Sequence, residues 1–153
     1  MTQIWDDPDV TTPDNKIPHP NSLNDKLSVD QILEMAKLLG QLHDRFVTDD
    51  TKPVAWPEWQ SFMRMSYDLG FVCRDATDRM DDETPIGDFI TMMIKDKTRV
   101  GSLSLRQMRQ VIHYIVRSER HGDGGGDRGA GTLYKFVENG LADAFAGRLN
   151  GNP

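Results

Sequence analysis

The sequence predicts an all-α fold, a single compact domain of about five helices preceded by a disordered or extended N-terminal arm. Apolar residues recur at helical spacing in several segments, and no segment sustains the apolar–polar alternation of a strand. At 153 residues the chain has the length of one domain with a core of its own. We therefore predict an arm over residues 1–26 and a helical domain over residues 27–150.

The predicted arm is acidic and rich in proline. Residues 1–26 carry five aspartates against two lysines, and they contain four prolines: Pro8, Pro13, Pro18 and Pro20. Few apolar residues accompany them, so we expect a flexible segment. Ile4 and Trp5 are adjacent apolar residues near its start. An exposed or loosely packed tail is the favoured interpretation of this pair, and a docking anchor is the alternative.

Two helices are predicted in the first half of the domain. Ser28 with Gln31 three residues later matches a capping box, so the first helix covers about residues 29–47. Pro57 suits the first turn of the second helix, at about residues 57–69, and Gly70 suits its C-terminal cap. Residues 71–73 are expected to pack behind that helix.

The second half begins with an acidic stretch, Arg74–Glu83, which lacks the spacing of a calcium loop and predicts a solvated loop. Thr84 and Pro85 then suit the N-cap and first position of a third helix. A second capping box predicts the fourth helix over about residues 105–119. The last helix, about residues 133–149, contains Gly140 near its middle, which weakens it and can split it.

The fourth predicted helix carries a row of cationic residues, called here the basic stripe. Its members are spaced three or four residues apart and fall within roughly 80° of arc, opposite the apolar face. They are Arg106, Arg109, His113, Arg117 and Arg120. The stripe points toward a glycine-rich segment, Gly122–Gly131.

The stripe and the residues after it form the candidate binding surface. Glu119, His121 and Asp123 complete it, and such a group can bind phosphate, a nucleotide or an acidic partner. The alternative is a solvated helix face paired with the chain's own acidic loops. The glycine-rich segment matches neither a P-loop nor a dinucleotide fingerprint. It therefore predicts a flexible or tightly turning connection.

No catalytic set or metal site is predicted. His121 with Asp123 and Asp127 gives too weak a ligand pattern for a metal, and Ser118, Glu119 and His121 have the wrong spacing for a triad. Cys73 is expected to be a small buried residue rather than a nucleophile. We expect no cofactor.

Charge and cysteine content limit the partners and the compartment. The net charge is −6, which disfavours direct nucleic-acid binding. It fits a soluble protein, a binder of basic surfaces or a protein that occupies a nucleic-acid site on another protein, and solubility is its commonest explanation. We expect a protein partner. Cys73 is the single cysteine, so no intrachain disulfide is expected, and a cytoplasmic location fits. Neither a signal peptide nor a membrane span is predicted. The oligomeric state is left open.

Short motifs in the C-terminal half resemble a bacterial and phage family classed as a domain of unknown function. That family carries an R-x-[DE]-R-aromatic-x-[DE]-G motif, matched here by Arg117–Gly124, with His121 at the aromatic position. A later glycine segment and a terminal helix match Glu138–Leu141 and Arg148–Leu149. Residues 125–131 form an insertion relative to the family pattern. The resemblance implies a helical fold and a mobile-element origin, but no activity.

These observations predict a small, acidic, non-enzymatic binding or regulatory protein that docks on a macromolecular partner. One form of this role is inhibition of a host nucleic-acid enzyme, such as an anti-CRISPR function. The alternative is a nucleotide- or phosphate-binding protein, or an enzyme, that uses Arg117–Gly131. Sequence-specific DNA binding through the fourth helix ranks third, because the chain is acidic.

Overall fold

A computed structural model describes residues 3–11, 19–46, 56–120 and 132–151. The described residues form six α-helices and no strand, which confirms the all-α prediction. The helices are α1 (Val29–Phe46), α2 (Trp56–Asp68), α3 (Ile86–Lys95), α4 (Leu105–Arg120), α5 (Thr132–Glu138) and α6 (Leu141–Leu149). Two short 3₁₀ helices, Ile4–Asp6 and Lys97–Ser102, complete the described helical elements.

Both predicted capping boxes form. At the start of α1, the Gln31 amide N–H donates to Ser28 Oγ at 3.2 Å, and the Ser28 N–H donates to Gln31 Oε1 at 2.8 Å. The same reciprocal pair joins Ser104 and Gln107 at the start of α4, with distances of 3.1 and 2.9 Å. These bonds satisfy backbone donors that have no partner inside the helix, so they fix where each helix begins.

The last predicted helix is divided at Gly140. This residue has a φ of +80°, a left-handed conformation that ends α5 and lies just before α6. A residue with a Cβ atom adopts this conformation at a cost, which is why glycine stands at the break. The division lets α5 and α6 pack on each other, with the Phe136 and Phe145 rings edge to face at 5.0 Å.

The core lies between α4 and the helices around it. The apolar face of α4 is fully buried, and it consists of Leu105, Met108, Val111, Ile112, Ile115 and Val116. α1 packs mainly against α6, and α4 contacts α2, α3 and α5. α4 is therefore enclosed by neighbouring helices on several sides, and this position decides what its polar residues contact.

The described parts of the predicted arm pack on the helical domain instead of extending from it. Ile4 is completely buried, and Val10 pairs with Leu27 in an isolated parallel bridge. The Asp7 carboxylate accepts a 2.9 Å hydrogen bond from the Leu105 N–H, so it caps α4 from outside the helix. Residues 1, 2 and 12–18 lie outside the described residues. The physical reason for the difference from the prediction is that Ile4, Val10 and Leu23, apolar residues of the described parts, are buried in the domain.

α2 ends at a turn that brings two distant segments together. Gly70 has a φ of +81°, as predicted for a C-terminal cap. A Cβ atom at Gly70 would lie 2.6 Å from the Pro20 Cβ atom, so the backbone approaches the N-terminal segment more closely than any other residue type allows. Phe71, Val72 and Cys73 follow and are buried, as predicted.

The acidic stretch Arg74–Glu83 is mainly exposed, as predicted for a solvated loop, although Met80 within it is buried. α3 begins one residue later than predicted, because Pro85 is its N-cap and Ile86 its first residue. No helix among the described residues is long and apolar enough to cross a membrane.

We predict that Ile4→Ala lowers the free energy of unfolding by about 2–4 kcal/mol, the usual effect of truncating a fully buried isoleucine. Urea unfolding followed by circular dichroism measures this change. Gln3→Ala, at an exposed neighbouring position, serves as the control and should stay within about 0.5 kcal/mol of the unsubstituted protein. Equal stability of the two variants would mean that the N-terminal segment does not pack as described.

Candidate functional site

The basic stripe of α4 is largely covered by other parts of the chain. Arg109 is completely buried and His113 is only 8% exposed, whereas Arg106 is half-buried and Arg117 is exposed. The exposure that both interpretations of the stripe require is therefore wrong for Arg109 and His113. The reason is that residues 19–27 and 70–75 lie over this side of α4, as the hydrogen bonds of Arg109 and His113 show.

Arg109 uses all five of its N–H donors inside the protein. Its Nε donates to the Gly70 carbonyl at 2.8 Å. Nη1 donates to the carbonyls of Leu23 and Asp25 at 3.1 and 2.8 Å. Nη2 donates to the Ser22 carbonyl at 2.9 Å and to Cys73 Sγ at 3.3 Å. A guanidinium group has five N–H donors, so Arg109 retains none for a ligand.

Cys73 is held in the same cluster and is not activated. Its Sγ atom lies 3.3 Å from Arg109 Nη2 and 3.3 Å from the Gly70 carbonyl oxygen. Burial raises the pKa of the Cys73 thiol, and the positive charge of Arg109 opposes this effect without reversing it. A buried thiol with a raised pKa is a poor nucleophile, which agrees with the predicted structural role.

His113 is neutral and has a defined tautomer. Its Nδ1 atom accepts a 3.2 Å hydrogen bond from the Cys73 N–H, so the ring proton lies on Nε2. Burial lowers the pKa of His113 to about 4, and the charge of Arg117 one turn further along α4 lowers it in the same direction. The negative charge of Asp75 raises the pKa of His113 but does not outweigh these two effects. His113 thus positions the backbone after α2 and is not a protonated anion ligand near neutral pH.

Arg106 pairs with the acidic loop, as the alternative interpretation of the stripe predicted. Its Nε atom lies 2.8 Å from Asp81 Oδ2, and its Nη2 atom lies 3.4 Å from Asp81 Oδ1. This hydrogen bond from Arg106 lowers the pKa of the Asp81 carboxyl, and the carboxylate in turn raises the pKa of Arg106. Gln110, one turn along α4, donates from Nε2 to Asp81 Oδ1 at 3.1 Å.

Three of the remaining predicted binding residues, Arg117, Glu119 and Arg120, belong to the last turn of α4. Arg117 is exposed there. Glu119 and Arg120 belong to α4, but their side chains lie outside the described residues, as do His121 and Asp123 with the glycine-rich segment. The structure therefore separates the predicted site into a buried part that is internally satisfied and a terminal part of which only Arg117 is described.

The burial of two polar side chains, Gln110 and Arg148, was not predicted from the sequence. Gln110 is buried and contacts Asp81, although its only sequence signal is an amide between the apolar positions of α4. Arg148 is also buried, and its Nε and Nη2 atoms donate to the Leu103 carbonyl at 3.1 and 3.0 Å. Within the described ranges, no group of three or more His, Cys, Asp or Glu residues is arranged to hold a metal ion.

Comparison with known proteins gave no match to this chain among family models, curated proteins or solved structures. The resemblance of Arg117–Gly124 to a family of unknown function therefore stays a prediction.

We predict that Arg109→Leu destabilises the protein by at least about 3 kcal/mol, because it leaves buried carbonyl groups from two segments without donors. Thermal and urea unfolding measure the loss. The matched control is Arg117→Leu on the same helix, which removes an exposed arginine and should change stability by less than about 0.5 kcal/mol. Comparable losses in both variants would contradict the structural role of Arg109.

His113 predicts a definite dependence of stability on pH. Its pKa is about 4 in the folded protein against 6.5 in a model peptide, so between these values only the unfolded chain takes up the proton. The contribution of His113 to stability is complete above pH 6.5 and is lost as the pH falls toward 4. Asp75 and Asp81 have lowered pKa values, so their contribution to stability begins to fall near about pH 5. Their loss is common to the unsubstituted protein and a His113 variant, so the difference between the two proteins reports His113.

Urea unfolding at pH 7, 6, 5 and 4 tests this dependence. His113→Asn keeps an acceptor for the Cys73 N–H and removes the titration, so its free energy of unfolding should fall less across the interval than that of the unsubstituted protein. Identical pH slopes for the two proteins would show that His113 is not held neutral by burial.

Proposed function

We propose that this chain is a small non-enzymatic binding or regulatory protein that acts in the cytoplasm by docking on a protein partner. Its exposed acidic segment, residues 75–88, is the proposed contact surface. Inhibition of a host nucleic-acid enzyme, including an anti-CRISPR role encoded by a phage or mobile element, is the form of this function that fits the charge and size of the chain.

The observation that carries the proposal is the internal use of the groups suited to catalysis or anion binding. All five donors of Arg109 bond to the chain itself, and His113 accepts from the Cys73 N–H. The Cys73 thiol is buried with a raised pKa. These three side chains stabilise the fold, which leaves binding through the surface as the function that the described residues support best.

The charge of the exposed surface favours a basic partner. Residues 75–88 carry six exposed carboxylates: Asp75, Asp78, Asp81, Asp82, Glu83 and Asp88. Arg79 is the only basic residue between them, and its Nη1 atom donates to the Glu83 carbonyl at 2.9 Å. A surface of this sign complements the positive grooves of proteins that bind phosphate backbones, and it accelerates association with them.

Phosphate or nucleotide binding at the end of α4 is the second candidate function. The exposed position of Arg117, one turn along α4 from His113, favours it, since an exposed guanidinium group suits an anion. Arg120 and His121 would extend such a site. A nucleotide that raises the melting temperature of the unsubstituted protein, but not of Arg117→Ala, would support this function over the first.

The docking proposal predicts a charge-dependent protein partner. The immobilised protein should retain a specific partner from lysate of its natural host, and Asp78→Lys/Glu83→Lys should weaken that retention at least about tenfold through charge repulsion. Both residues are exposed, and the hydrogen bonds described for them use their backbone atoms, so the variant should keep its melting temperature. Quantitative mass spectrometry compares the amount of partner retained by the variant with the amount retained by the unsubstituted protein.

The matched control is Asp30→Lys/Glu138→Lys, which makes the same change of charge at exposed positions on α1 and α5. It should retain the partner as the unsubstituted protein does. Equal loss of the partner in the two double variants, or no partner retained above the level of an unrelated acidic protein, would overturn the proposal.

A further inference from the structure

Gln110 has a buried oxygen without a hydrogen-bond partner. The residue is 2% exposed, and its Oε1 atom is buried and has no hydrogen-bond partner among the described residues. Its Nε2 atom donates to Asp81 Oδ1 at 3.1 Å, and a carboxylate accepts only from the nitrogen side of an amide. The orientation of the amide is therefore fixed, and the unpaired atom is an acceptor.

The amide of Gln110 lies at the base of a cluster of carboxylates. Arg106 is the cation of this cluster, and the charges of Asp81, Asp75 and Asp9 all raise its pKa. The side chain of Asp81 is 61% exposed and that of Arg106 is 34% exposed, so solvent reaches the outer side of the pair. One buried acceptor thus stands directly beside an accessible carboxylate.

We propose that Asp81 and Gln110 together bind the guanidinium group of an arginine from the protein partner. The inference rests on the proposed docking function and names one contact within it. In the free protein, Arg106 occupies Asp81 through an exposed ion pair, a type of contact that contributes little to stability and exchanges readily. An incoming arginine replaces it on the carboxylate and donates a second N–H to Gln110 Oε1.

The geometry favours arginine over lysine. A guanidinium group presents parallel N–H donors in a rigid plane, so it can bond to two neighbouring acceptors at once. Asp81 Oδ1 and Gln110 Oε1 are such neighbours, because the nitrogen of the same Gln110 amide already contacts Oδ1. The lysine ammonium is a compact point charge and gains less from a second acceptor in a fixed direction.

Two labelled peptides test the inference with the full chain. They have equal length and equal charge, one with six arginines and one with six lysines between glycine and serine, and their binding is followed by fluorescence anisotropy. We expect the arginine peptide to bind at least about fivefold more tightly than the lysine peptide. Gln110→Met should weaken binding of the arginine peptide about tenfold and change the lysine peptide by less than about twofold.

Further variants make the test specific. Arg106→Met removes the internal competitor and should strengthen binding of the arginine peptide, whereas Glu138→Gln, on α5, should leave it unchanged. Asp81→Asn changes an exposed residue and should weaken binding of the arginine peptide. This variant tests the proposed contact even if Gln110→Met does not fold. Melting temperatures of all variants establish that they are folded.

The inference is overturned if the two peptides bind equally and the Gln110→Met and Asp81→Asn variants bind the arginine peptide as the unsubstituted protein does. That result leaves the docking function intact as long as the retained partner still depends on Asp78 and Glu83. Loss of that dependence alone would instead reject the docking function.

Discussion

The fold depends on the buried guanidinium group of Arg109. It joins three parts of the chain: the turn at residues 22–25, the end of α2 at Gly70, and the middle of α4. Turn carbonyls in these segments would otherwise be buried without donors, which costs free energy at each group. A single arginine on α4 satisfies four of them with one planar side chain. The same group also places a positive charge near the carboxylate of Asp9, where it lowers the pKa against the effect of burial.

This arrangement explains why the surface is acidic where the sequence suggested a basic stripe. Arg109 and His113 face chain segments that cover α4, and Arg106 bonds to Asp81. Arg148 is also buried and donates to the Leu103 carbonyl just before α4. The cations that could have attracted phosphate are thus largely engaged within the molecule. The carboxylate residues of the segment 75–88 are exposed.

Local sequence signals predicted the helices well, because their causes are local. The Ser28–Gln31 and Ser104–Gln107 boxes each satisfy backbone donors within four residues, and Gly140 breaks the last helix through its own backbone conformation. The burial of Arg109 could not be predicted in the same way. A helical projection gives the angle between residues on α4, but not whether a distant segment covers that side of the helix. The covering segment, residues 19–27, is polar and rich in turns, so its composition suggested a flexible arm. Gln110 was missed because one amide among apolar positions carries no motif.

The structural role of Arg109 is tested most directly by NMR of its guanidinium protons. A solvated arginine shows averaged Nη–H signals that exchange rapidly with water, whereas a guanidinium with all five donors bonded to the protein should show resolved, slowly exchanging signals. The structure predicts such a set near pH 7, assigned to Arg109 by its disappearance in Arg109→Lys, and distinct from the averaged signals of the exposed Arg117. Averaged, rapidly exchanging signals for Arg109 in the folded protein would contradict the buried clamp on which the rest of the structure depends.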